Sequence, residues 1–193
     1  MSDINLISAP ADIKLSDYEF DFHTGNPAVY VGTYHKYASG SLFGMWLDLS
    51  KFNDYEEFMD ACRALHNDEE DPEFMFQDYE GFPEDWYSES SLDEDTFDLI
   101  QKYVDLDDDK KDAFEAFMEC KSSGRDAEVF EDFEDCYQGE FDSEEEFAEH
   151  VVDECGILDG MPENIQMYFD YEAYARDLFL GDFTFWNGKV FRD

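Results

Sequence analysis

The sequence has very little positive charge. Of its 193 residues only 12 are Lys or Arg, against 52 Asp or Glu, so the formal net charge is −40. A chain this poor in cations has no basic stripe to neutralise phosphates. Nucleic acid is therefore excluded as a partner, and an anionic membrane surface repels the chain for the same reason. Cations and proteins with basic surfaces remain. No apolar run approaches about 20 residues, which excludes a membrane-spanning helix. The opening "MSDINLISAPADIKLSDYEF" has no basic region followed by an apolar stretch, so no secretory leader and a cytoplasmic location are expected. The four cysteines, Cys62, Cys120, Cys136 and Cys155, form no C-x-x-C pair, and reduced thiols are the expectation.

Motifs for chemistry are also missing. His23, His35, His66 and His150 are scattered and match no metal-ligand spacing. His66, near the end of an expected helix, reads as a partner for the negative end of the helix dipole. "DLDDDKKDAFEA" opens like a calcium-binding loop, with Asp105, Asp107 and Asp109. It has Lys110 where such a loop needs Gly and Ala116 where it needs a bidentate Glu. An Asp-rich helix N-terminus explains the run instead. With 52 acids, chance carboxylate pairs are certain, so pairing carries no information about glycoside chemistry. No cofactor, no metal and no enzymatic activity are expected.

What the sequence does have is aromatic residues, 18% of the chain, with 20 Phe and 12 Tyr. These supply a core despite the charge, at roughly 25 cal/mol per Å² of apolar area buried. "AVYVGTY" (28–34) and "LFGMWLDL" (42–49) read as a hairpin, and "EFMFQDYEG" (73–81) as a third strand. Between them a helix is predicted from Asn53, with Glu56 completing a capping box. Ser91 with Glu94 and Ser143 with Glu146 read as two further capping boxes. The Asp run predicts a helix start that buries Ala113, Phe114, Phe117 and Met118 and ends near Gly124. Residues 127–141 read as a helical turn followed by a short strand. "MPENIQMYFDYEAYARDL" reads as helical, and "DFTFWNGKVF" as a hairpin turning at Asn187–Gly188.

The fold class is therefore α+β. The order suggests an elongated chain of three small units: an N-terminal three-stranded antiparallel sheet plus helix (27–88), a central helical acidic unit (89–130) and a C-terminal α/β unit (131–193). Residues 1–26 read as a loosely attached N-terminal extension.

The acids are not a detachable tail. Residues 51–150 hold 37 of them against 7 Lys or Arg. Acids three or four apart on a helix share a face, with Cβ atoms about 5–6 Å apart. Asp108, Asp112, Glu115 and Glu119 form one such row. Asp54, Glu57 and Asp60 form a second, and Asp142, Glu145, Glu146 and Glu149 a third. Asp93, Asp95, Asp98, Asp105, Glu128 and Glu131 extend the set. B-DNA carries one charge per roughly 1.7 Å of axis, so the net charge matches about 20 base pairs. The rows suit a protein that occupies the basic groove of a DNA-binding enzyme and competes with DNA. Two alternatives stand beside it: mimicry aimed at some other basic DNA-binding protein, and a halophilic, cation-solvating acidic protein.

Particular residues add a resemblance. In "VYVGTYHKYASGSLFGMWLDL", Tyr30, Lys36, Tyr37, Gly40, Leu42, Gly44 and Trp46 match the opening hairpin of the ArdA antirestriction family. Asp78 and Tyr79 follow in order. Tyr168, Asp170, Tyr171, Ala173, Tyr174, Arg176, Asp177 and Leu178 follow the family's Y-x-D-Y-x-A-Y-x-R-D-L pattern. "ECGILDGMPENIQMYF" resembles its antirestriction motif through Cys155, Gly156, Ile157, Leu158, Gly160, Pro162, Gln166 and Tyr168. The resemblance covers residues 28–193. It implies a DNA-mimic inhibitor of type I restriction-modification enzymes, carried on mobile genetic elements. The partner would be the methyltransferase core with its DNA-binding groove. The motif region would lie in the part that forms a homodimer.

Overall fold

A computed structural model describes residues 13–121 and 128–193. The chain is α+β and forms two compact units that divide between Asp107 and Asp108. Among the described residues no helix is long and apolar enough to cross a membrane.

The first unit is built on a three-stranded antiparallel sheet in the order β2-β1-β3. Its strands are β1 (Ala28–Thr33), β2 (Met45–Asp48) and β3 (Phe74–Glu80). Central β1 is apolar, and Ala28, Val29 and Val31 have no exposed surface. The pleat sends Val29 and Val31 to one face and Tyr30 to the other. Tyr30 pairs directly with Trp46 of β2 and Asp78 of β3. Gly44, just before β2, is required by close approach: a Cβ there would lie 2.5 Å from the Val31 carbonyl oxygen.

The connection between β1 and β2 forms helix α1 (Tyr34–Ala38). Its cap is Thr33, whose hydroxyl accepts from the Lys36 N–H. Helix α2 (Tyr55–Leu65) buries Phe58, Ala61 and Cys62. Phe58 stacks on Phe76 of β3 at 6.1 Å and on Phe97 at 5.8 Å. Each such Phe contributes about 2–3 kcal/mol of burial. Helix α3 (Glu94–Val104) also reaches the 3-10 turn after β2, where Gln101 donates to the Leu49 carbonyl at 2.8 Å.

The predicted helix starts need correction by a residue or two. Asp54, not Asn53, caps α2 and accepts from the Glu57 N–H. Asp93, not Ser91, caps α3 and accepts from the Thr96 N–H. Short carboxylates cap as well as Ser or Asn, so the residue nearest the first buried turn takes the role. Ahead of β1, Tyr18 stacks on Phe52 at 4.3 Å and Glu19 bridges to Leu47, which ties residues 18–20 to the outer edge of β2.

The second unit holds helices α4 (Asp108–Lys121), α5 (Val129–Cys136), α6 (Glu144–Glu154), α7 (Glu163–Gln166) and α8 (Tyr171–Leu178). Its antiparallel sheet has the order β4-β6-β5, from β4 (Tyr137–Glu140), β5 (Phe183–Trp186) and β6 (Lys189–Arg192). The Asn187–Gly188 turn joins β5 to β6, both residues at positive φ, as a two-residue hairpin demands.

Alternation along β5 and β6 explains why this sheet is covered on both sides. Phe191 and Tyr137 meet Phe117 of α4 and Phe133 of α5, at 5.7 and 5.3 Å. Phe183 meets Phe147 of α6 at 4.9 Å, and Phe185 meets Phe179 at 6.3 Å. The expected continuous helix over 161–178 is two helices, because Asp170 caps a fresh start by accepting from the Ala173 N–H. The expected end of α4 near Gly124 lies outside the described residues.

Candidate partner-binding surface

The local physics of helix ends places many of the acids. Asp54 and Asp93 are N-caps, and Glu56, Glu57, Glu94, Asp95, Asp108, Asp109 and Glu144–Glu146 sit in first turns. Unpaired N–H groups and the positive dipole end favour carboxylates there. The apolar face of each helix then decides which acids meet water.

On α4, Ala113, Phe114, Ala116, Phe117 and Met118 turn inward, and Asp108, Asp112, Glu115 and Glu119 form an exposed row. Glu119 has a second task. It accepts from Trp186 Nε1 at 2.9 Å and from Asn187 Nδ2 at 3.1 Å, and so braces the β5–β6 turn. On α6, Phe147, Ala148 and Val152 are buried, and Asp142, Glu145, Glu146 and Glu149 are exposed. Here the expected capping box is present: Ser143 accepts from the Glu146 N–H, and Glu146 Oε2 accepts from the Asp142 N–H at 2.6 Å. Asp93, Asp95, Asp98 and Asp105 are exposed along α3 and its ends, as are Glu128 and Glu131 at the start of α5.

The α2 set is different. Asp54 is exposed, whereas Glu57 and Asp60 are half-buried and already engaged. Glu57 accepts from the Tyr18 hydroxyl at 2.6 Å and from the backbone and side chain of Asn53 at 2.8 and 2.9 Å. These bonds, the Asn53 backbone first, hold its carboxyl below the usual range, while the hydrogen bond to Glu57 pushes the Tyr18 phenol up to about 12. Asp60 pairs with Arg63 at 2.6 Å. Spacing alone does not separate such structural carboxylates from solvated ones.

The 155–168 segment is shaped by its small and polar residues. Gly156 lies at φ +60° and ends α6, with Gly156 N–H donating to the Asp153 carbonyl and Ile157 N–H to that of Val152. That bond pair is the left-handed helix stop that glycine favours. Gln166 donates to the carbonyls of Leu158 and Met161, at 3.3 and 3.0 Å, and cinches the loop. Pro162 precedes the first turn of α7. The loop leaves Ile157, Met161, Ile165, Met167 and Tyr168 exposed, Met167 at 74% and Tyr168 at 81%. Cys155 beside them is exposed too. Apolar residues at helical spacing read as core in sequence, and their exposure was not visible there.

One cluster resembles a metal site. The donor atoms of His66, Asp68 and Glu69 lie within 4.8 Å of one another. The cation position there is taken by the protein's own Lys36. Its ammonium lies 3.0 Å from His66 Nδ1, 2.7 Å from Asp68 and 3.0 Å from Glu69. His66 also corrects the expected dipole role. It does cap α2, but it is fully buried, its Nε2 meets the Val31 carbonyl at 3.3 Å, and burial lowers its pKa, which disfavours the charged ring that a dipole partner needs. The Asp-rich run once compared with a calcium loop enters α4 at Asp108.

A family model described as antirestriction protein (ArdA) matches residues 29–192, most of the chain. No curated protein matches the sequence.

Proposed function

The chain belongs to the ArdA antirestriction family, and from that premise we propose that it acts as a DNA mimic on type I restriction-modification enzymes. The observation that carries this reading is the exposed acid set on α3, α4, α5 and α6 of a chain with net charge −40. An enzyme groove built to neutralise phosphates attracts and orients such a surface as it does DNA. The carboxylates offer no base edges, so inhibition follows charge and spacing and not sequence. The protein needs no catalysis for this. It blocks the methyltransferase core by occupying its groove, inside the cytoplasm of a cell that has received a mobile element. Self-association through the exposed 155–168 segment doubles the length of the acidic surface.

A competition titration tests the reading. A fluorescent duplex is bound to a type I methyltransferase core and this protein is added at two salt concentrations. Displacement that weakens as salt rises is the expected result. No displacement at micromolar excess sinks the groove reading. Displacement from an unrelated basic DNA-binding protein, with none from the methyltransferase, moves the mimicry to another target. A requirement for molar salt to fold, seen by circular dichroism, replaces mimicry with halophilic solvation.

A further inference from the structure

Among the described residues, exposed apolar side chains cluster in the 155–168 segment, with Leu180 and Trp186 nearby in sequence, and again in the first unit, on the sheet face opposite Val29 and Val31. Phe22, which lies against Trp46, is 62% exposed, and Leu42, at the margin of this face, is 69% exposed. The patch is continuous. Phe22 meets Trp46 edge-on at 5.5 Å, Trp46 meets its cross-strand partner Tyr30 at 5.7 Å, and the Tyr30 hydroxyl donates to the Leu42 carbonyl at 2.9 Å.

This patch differs in charge from the rest of the molecule. Residues 22–47, which supply all of it, contain no Asp or Glu across 26 positions, in a chain with 52 acids. A basic groove gains nothing from it. Acids resume at its border: Asp78 lies across from Tyr30 on β3, and Glu80 follows two residues on. The surface that complements this arrangement is neutral and apolar where it meets the patch and basic alongside.

We infer that the Phe22–Trp46–Leu42 face docks on an apolar surface of the restriction-modification enzyme beside its basic DNA groove, adding a contact that salt does not screen. The inference rests on the groove reading above. Charge complementarity selects the occupant. Exposed Asp78 and Glu80 at the rim suit basic groups beside the apolar contact, whereas a second copy would bring further acids there, and self-association is assigned above to the 155–168 segment. An apolar contact holds an inhibitor in place when ionic strength weakens its carboxylates, and DNA has no equivalent.

The test compares the wild-type protein with the double variant F22S/L42S, both side chains being mostly in solvent. Each is titrated against a labelled duplex bound to the methyltransferase core at two salt concentrations. The expected result is displacement weakened about tenfold at both salts, with the same salt dependence as wild type. Circular dichroism and light scattering of the free variant are expected to match wild type. Equal displacement by variant and wild type overturns this inference while leaving the groove reading standing. A loss confined to one salt concentration also overturns it, because the face then acts through charge. A change in oligomeric state without a change in displacement overturns it in favour of a contact between copies. A wild-type protein that displaces no duplex removes the groove reading, and this inference with it.

Discussion

The Lys36 ammonium lies 3.0 Å from Nδ1 of His66, a ring with no exposed surface. Asp68 and Glu69 flank the same ammonium, and Phe43 packs its ring against both partners, 5.1 Å from the Lys36 nitrogen and 5.7 Å from the His66 ring. Burial first, then the Lys36 charge, lowers the His66 pKa from its ordinary 6.5. A group that is harder to protonate when folded stabilises the native state fully above its unfolded pKa, and that contribution is lost as pH falls through the folded pKa. Urea unfolding is therefore expected to show stability declining below about pH 6.5. Lys36→Met removes the positive neighbour and leaves Asp68 and Glu69, so the His66 midpoint in a ring-carbon NMR titration is expected to rise. An unmoved or lower midpoint refutes the coupling.

Spacing places Glu57 among the partner-facing acids, but its bonds to Tyr18 and Asn53 make it a clasp between the N-terminal segment and α2. Glu57→Gln is expected to cost about 1 kcal/mol of stability, a charge-assisted hydrogen bond discounted for its partial exposure. Its lowered pKa makes the contribution complete above about pH 4.5 and lost as pH falls through the folded value. Affinity for the methyltransferase core is expected to stay within about twofold. A large loss of affinity with unchanged melting temperature returns Glu57 to the binding surface.

These two residues show where sequence reading stops. Helix phase was legible because apolar residues recur at three and four residues, as in Phe97, Ile100 and Tyr103 or Ala113, Phe114 and Phe117, and those side chains are buried. The closing hairpin was legible because Asn187–Gly188 allows positive φ at both positions. The helix starts at Asp54 and Asp93 were misplaced because each lies among several residues able to cap. The fate of single acids was not legible at all. Glu57 and Glu145 look alike in sequence, and only three-dimensional neighbours make one a clasp and leave the other in water. Nor does periodicity reveal an apolar face left uncovered, as at Met167 and Tyr168.

Exposed rows are expected to behave collectively. Asp→Asn at Asp112 alone is expected to change duplex displacement by about fivefold or less, since one surface charge pair contributes ~0.2–1 kcal/mol. Neutralising Asp108, Asp112 and Glu115 together, with Glu119 retained to hold Trp186 and Asn187, is expected to weaken displacement about tenfold and flatten its salt dependence. Melting temperature is measured alongside, so that any loss of α4 stability from the first-turn Asp108 is read separately from binding. A single substitution that abolishes displacement points instead to a localised hot spot.

The exposed 155–168 segment makes a separate prediction about self-association. Met167 and Tyr168 project from the turn between α7 and α8, held there by Gln166 behind them and by the Asp170 cap ahead. Removing such apolar surface from water in a dimer contributes roughly 25 cal/mol per Å². The double variant M167S/Y168S is expected to shift light scattering at tens of micromolar from dimer toward monomer, with circular dichroism unchanged because neither side chain is in the core. Salt separates this contact from electrostatic ones: copies that each carry −40 repel, so raising ionic strength is expected to strengthen wild-type association while it weakens duplex displacement. A wild-type monomer at every salt concentration removes the interface.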